Sequence, residues 1–100
     1  MGMTLFDVEP ILTPRERFEE FHRENPHVYE RLRYMSLELV ANGHSRIGMG
    51  MLFEVLRWSA MTTKDEEFKL NNNYRAFYSR MLMENEPELR DVFELREQHL

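Results

Sequence analysis

Apolar residues recur at helical spacing in five windows of the chain, and nowhere do they alternate with polar residues at period two. The pattern therefore predicts helices and no sheet. Thr13-Pro14-Arg15-Glu16 combines an N-cap hydroxyl, a proline at the first helical position and a glutamate at the third, the spacing of a capping box. It opens a helix over 13–25 whose buried side holds Phe18 and Phe21. Asn25-Pro26 repeats the cap-then-proline signal and starts a second helix, 26–42. Val28, Leu32, Met35 and Leu39 form its apolar stripe, and Gly43 supplies the left-handed residue that ends it.

A third helix is predicted over 45–61, with Ser45 as its cap. Ile47, Met51, Val55 and Trp58 form one stripe, widened by Leu52 and Leu56. Gly48 and Gly50 fall in its first turns, where each costs about 1 kcal/mol relative to alanine. Close backbone approach to a helix or ligand explains them, and so does a loosely wound start. Residues 62–70 are polar and aperiodic, with Phe68-Lys69-Leu70 as a short extended piece. The Asn71-Asn72-Asn73 triplet then leads into a helix over 72–84, where Tyr74, Phe77, Tyr78, Met81 and Leu82 give the cleanest amphipathic pattern in the chain. Asn85-Glu86-Pro87 starts a last helix, 87–97, carrying Leu89, Val92, Phe93 and Leu95. The fold class expected is all-α: one compact single-domain bundle of four to five helices spanning 1–100, with 1–12 as a loosely ordered lead-in.

Composition narrows the function. One hundred residues with 42% hydrophobic and 31% charged content suit one globular core. Absence of cysteine removes disulfide frameworks, thiolate metal sites and cysteine nucleophiles. Residues 1–8 lack the basic flank and apolar run of a signal peptide, and no stretch is long and apolar enough to span a membrane, so a cytoplasmic setting is expected. The net charge of −5 argues against a strongly basic nucleic-acid surface, although residues 44–82 hold six bases against four acids.

Candidate chemistry is sparse. His22, His27, His44 and His99 do not fall at metal-ligand spacing on one helix. No serine sits in a glycine-flanked elbow, and no glycine-rich phosphate loop is present. Asp65-Glu66-Glu67 and the acids of 84–97 read as a solvated loop and a solvated helix face. No catalytic residue, metal or cofactor is assigned, and a non-enzymatic binding module is expected.

Two surfaces then compete. Three asparagines exceed what one cap requires, and asparagine pairs with adenine edges while helix N-termini favour phosphate. Lys69, Asn71, Asn72, Asn73, Arg75 and Arg80 thus form a candidate DNA contact, the helices of 45–84 making a helix-turn-helix variant with a connection of about ten residues where the plain motif uses 3–4. The alternative reading of the triplet is one cap, one turn residue and one solvated side chain. The other surface is protein-binding. Met49 and Met83 fall off the main stripes, so they are the candidates for an exposed adaptable patch, whereas the other methionines fill the core. That patch suits a host-protein partner or a homodimer.

Phe18-x-x-Phe21, Asn25-Pro26-x-Val28-Tyr29, Leu52-Phe53-Glu54-Val55-Leu56-Arg57-Trp58 and Phe68-Lys69-Leu70-Asn71-Asn72-Asn73-Tyr74 occur in that order. In these the chain resembles a group of small helical proteins of bacteriophages and bacterial genomes, over about Phe18 to Arg96. Members of that group have no assigned function, so no site residue carries over. The resemblance implies a phage or prophage origin, an intracellular setting and one of two jobs, binding DNA or binding a host protein.

Overall fold

The computed structural model describes residues 11–63 and 69–94. Among them are four α-helices: α1 (Pro14–Glu24), α2 (Pro26–Ala41), α3 (Met49–Thr63) and α4 (Arg75–Asn85). Single 3-10 turns at Asn72–Tyr74 and Pro87–Leu89 precede and follow α4. The all-α bundle and the absence of a sheet hold for the described residues. Residues 1–10 of the expected lead-in, Phe68, the acids 65–67, His99 and residues 95–97 of the expected last helix lie outside them.

The helix ends follow from local chemistry. The Thr13 hydroxyl accepts from the Glu16 N–H at 3.1 Å, and the Glu16 carboxylate accepts from the Thr13 N–H at 2.9 Å, completing the capping box. These bonds hold the Glu16 carboxyl below its ordinary range, the backbone bond contributing most. Asn25 closes α1, its side-chain amide donating to the Phe21 carbonyl at 3.1 Å, and Pro26 then begins α2. At the far end of α2, Gly43 has φ of +97°. Gly43 and His44 return their N–H groups to the carbonyls of Val40 and Leu39 at 3.0 Å each, the double closure of a Schellman motif.

The α4 helix starts at Arg75 rather than 72, its first turn being 3-10, and two boundaries differ by four residues or more for one long-range reason. Ile47 makes a parallel β-bridge with Phe93. Its N–H donates to the Val92 carbonyl at 2.9 Å and its carbonyl accepts from Glu94 at 3.5 Å. Backbone groups spent on another segment cannot enter a helical ladder. So α3 begins at Met49, four residues later than the pattern predicts, and Ser45 caps nothing. The same bridge takes Phe93 out of any helix, so the expected helix from 87 is a single 3-10 turn followed by turn residues up to the bridge. Arg46 and Glu94 flank the bridge with an exposed ion pair at 3.1 Å.

The core lies where α2, α3, α4 and the 87–93 segment meet, with Phe18 reaching in from α1. Val28 and Leu32 of α2, Leu52, Phe53 and Leu56 of α3, Tyr78 and Leu82 of α4, and Leu89 are essentially fully buried. Burying each large aliphatic side chain contributes about 1.5–3 kcal/mol. Ser36 is also buried, and its hydroxyl donates to the Leu32 carbonyl at 2.7 Å, so it adds no unsatisfied group.

Tyr78 sits at the centre of an aromatic cluster. It meets Phe18 edge-on at 4.8 Å between centroids, His22 at 6.0 Å and Phe53 at 6.2 Å. Phe18 in turn stacks on Phe77 at 5.0 Å. The Tyr78 hydroxyl is buried with no hydrogen-bond partner among the described residues. Desolvation, helped by the neighbouring Tyr74, pushes its pKa far above the ordinary phenol value. An unsatisfied buried hydroxyl costs about 1–3 kcal/mol, so Tyr78→Phe is expected to be at least as stable as the parent in urea denaturation at neutral pH. A clear loss of stability would show that the hydroxyl has a partner. The pH dependence has a definite sign. An unfolded tyrosine ionises near pH 10 while folded Tyr78 keeps its proton, so the folded state binds more protons above that pH and stability falls as pH rises. Tyr78→Phe is expected to flatten that alkaline decline, and an unchanged slope would contradict the burial argument.

Candidate functional site

The asparagine triplet is largely used up in building its own loop. Asn71 is the cap: its side-chain oxygen accepts from the Asn73 N–H at 2.8 Å. Asn72 accepts from the Arg57 guanidinium at 2.5 Å. The same guanidinium nitrogen donates to the Leu70 carbonyl at 2.7 Å, and the other one pairs with Glu54. Arg57 also lies over the Phe53 ring at 5.9 Å. It therefore ties α3 to the loop that leads into α4. Only the Asn73 side chain is exposed without a described bond. Arg57 was not among the residues singled out from the sequence, because its partners lie 13 and 15 positions away.

The cations named with the triplet do not converge into one stripe. Lys69 stands in a wide polar cleft of about 630 Å³ with Arg17, Glu20, Glu24 and Tyr74, where the charges balance. The Arg75 side chain lies against Gly50 of α3: a Cβ there would meet its terminal nitrogen at 3.0 Å. That close approach accounts for Gly50, whereas Gly48 has open space beside it. Arg80 lies over the Phe77 ring at 5.2 Å, and Arg15 of α1 over the same ring at 5.6 Å. Phe18 stacks on that ring as well, which confines the two guanidiniums to what it leaves open. Helices α3 and α4 pack together, but the connection between them runs from 64 to 74.

The methionine expectation is corrected. Met49 is only 4% exposed and belongs to the core, because it opens the inner face of α3 one turn before Leu52 and Phe53. Met83 is half-buried and packs against the core rather than forming a patch. Apart from Ile11 ahead of α1, the exposed large apolar side chains lie on α3 and the neighbouring part of α2. Met51 is 53% exposed, Val55 46%, Trp58 68% and Met61 79%, with Tyr34 of α2 at 66% beside them. Met51, Val55 and Trp58 are the stripe expected to be buried. Leu52 and Leu56, expected only to widen it, face the core. The helix is thus apolar on both sides. An apolar cleft of about 380 Å³ adjoins the outer stripe between α2 and α3, lined by Arg31, Tyr34, Met35, Val55, Leu56 and Ser59. Arg31 bridges its edge by donating to the Ser59 hydroxyl at 2.9 Å. The sequence held the signal for this face, since a second apolar stripe on one helix calls for a second covering surface.

Among the described residues, no group of three His, Asp or Glu side chains could hold a metal ion, and no helix is long and apolar enough to cross a membrane. His22 packs between Phe18 and the rings of Tyr29 and Tyr78. No protein-family model, curated protein or solved structure matches the chain.

The structural role of Asn72 has a direct test. Arg57→Ala is expected to cost about 1–3 kcal/mol, since it leaves the Leu70 carbonyl and Asn72 without their donor. Asn72→Ala should cost less, and the two should couple by more than about 0.5 kcal/mol in a double-mutant cycle read by thermal or urea unfolding. Strict additivity would mean the contact contributes nothing.

Proposed function

We propose that this chain is a protein-binding module whose docking surface is the outer face of α3 together with the adjoining α2–α3 cleft. The observation that carries this reading is a single helix with large apolar side chains on the side opposite the core: Met51, Val55, Trp58 and Met61. Leaving them in water forgoes roughly 25 cal/mol for each Å² of apolar area, and no described residue covers them. Tryptophan and tyrosine dominate interface energetics because a large rigid ring loses little conformational entropy on binding. Trp58 and Tyr34 occupy that position here, beside a cleft with apolar walls.

A photo-crosslinking amino acid at position 58, introduced into the full chain in its source cells, tests this. A covalent protein adduct is expected from position 58, and none from the same residue placed at Arg80. No adduct above the Arg80 control would overturn the reading. Val55→Lys should abolish the adduct while leaving the unfolding temperature unchanged, because that side chain points away from the core.

A second reading, DNA binding through the α4 side, draws support from Arg15 and Arg80 sharing the Phe77 ring with no acidic partner among the described residues. In this reading Lys69, Asn73, Arg75 and Arg80 contact the backbone or bases, while Asn71 and Asn72 only shape the loop. Duplex DNA should then bind with affinity falling steeply as salt rises, each lost phosphate contact lowering the log–log slope by about 1. Arg15→Ala and Arg80→Ala should each flatten that slope. Absence of binding at low salt would eliminate this reading.

A further inference from the structure

We infer that the partner on the outer face of α3 is a second copy of this chain, the two related by a twofold axis that places Trp58 of each protomer in the α2–α3 cleft of the other. This rests on the docking-surface reading and names its occupant. The first argument is self-complementarity. A twofold interface uses the same patch twice, so one patch must hold both a projecting group and its receptor. Here Trp58, 68% exposed, stands one residue from Ser59 and one helical turn from Val55, both of which line the cleft. Knob and cleft therefore share one face, and a single rotation satisfies both at once. The same rotation runs the two α3 helices antiparallel and sets Met51 of one protomer toward Met61 of its partner.

Charge and area point the same way. The chain carries a net −5, which opposes self-association in general. The charges of this face are locally balanced: Glu54, which lies among Met51, Trp58 and Met61 on α3, is paired with Arg57, and Arg31 follows Glu30 along the cleft edge. Paired charges do not select a strongly charged partner, and they let two copies approach. Aromatic side chains bury about 150–250 Å² each. Tyr34, Trp58 and the three aliphatic side chains beside them thus offer on the order of 600 Å², close to the roughly 800 Å² that each partner contributes to a standard interface. The stems of Glu54, within the face, and Arg31, at the cleft edge, supply the remainder.

Trp58 is the only tryptophan, so the proposed contact carries its own reporter. Sedimentation velocity of the full chain over a dilution series from low micromolar to submillimolar is expected to show the mass rising from 12.2 kDa to twice that value. Tryptophan emission should shift to the blue in step with the mass. Val55→Lys and Tyr34→Arg should each hold the protein monomeric, with water-exposed emission at every concentration. Circular dichroism and the unfolding temperature of the diluted monomer should match the parent. A monomer throughout the series overturns the inference, as does a dimer that forms with unshifted emission or survives both substitutions. The crosslink from position 58 separates the two levels. An adduct with a different protein refutes self-association and leaves the docking surface standing, an adduct of twice the chain mass supports both, and no adduct removes both.

Discussion

Helix α3 carries apolar side chains on two opposite faces, and the remainder of the molecule is arranged to cover one of them. Leu52, Phe53 and Leu56 face inward and are met by Leu32 of α2 and by Tyr78 and Leu82 of α4 within one continuous core. Because α3 packs against both α2 and α4, the two flanking helices are held by the same few side chains. A hydrophobic strip can be satisfied only by another surface. Among the described residues that surface exists on the inner side and none covers the outer one. The outward residues Met51, Val55, Trp58 and Met61 follow from the same helix that organises the core, which makes the proposed docking face inseparable from the fold.

The ends of α3 are tied by different means. At its start, the Ile47–Phe93 bridge spends the backbone groups that a longer helix would have used, and so brings the C-terminal turn against the bundle. At its far side, Arg57 grips the Leu70 carbonyl and Asn72, which fixes the direction from which the chain enters α4. Arg33 of α2 pairs with Glu86, just past α4, and this carboxylate raises the guanidinium pKa through their hydrogen bond and charge attraction. These polar links sit at the surface or partly buried, where each contributes modestly. Their effect is geometric: they set where the loops cross, while the aromatic cluster around Tyr78 supplies the cohesion.

What could be read from residues alone divides along the range of the interactions. Thr13, Pro14 and Glu16 act within one turn, as do Asn25, Pro26 and Gly43, so the first two helices were legible to within a residue or two. Tyr74, Phe77, Tyr78 and Leu82 likewise marked α4 by spacing. The start of α3 and the extent of the last helix were not legible, because the pairing of Ile47 with Phe93 joins segments 46 positions apart. Periodicity also located two apolar stripes on α3 but could not say which one met the core. It assigned Met51, Val55 and Trp58 inward and left Met49 for the surface, the reverse of their burial. For the asparagine triplet, composition suggested a contact surface; the partner that absorbs Asn72 is an arginine 15 residues earlier, which no local pattern reveals.

The central claim is that the outer face of α3 is an interface and the inner face is core. Methyl NMR in the presence of a soluble paramagnetic probe measures both faces in one experiment, using Met49 as the buried reference and Met51, Val55 and Met61 as the test. In dilute protein, Met49 should be protected and the other three strongly relaxed. In concentrated protein, Met51, Val55 and Met61 are predicted to become protected to a level approaching that of Met49. Methyl groups on the outer face that stay fully accessible at every concentration, and in the presence of any protein crosslinked from position 58, would contradict the account.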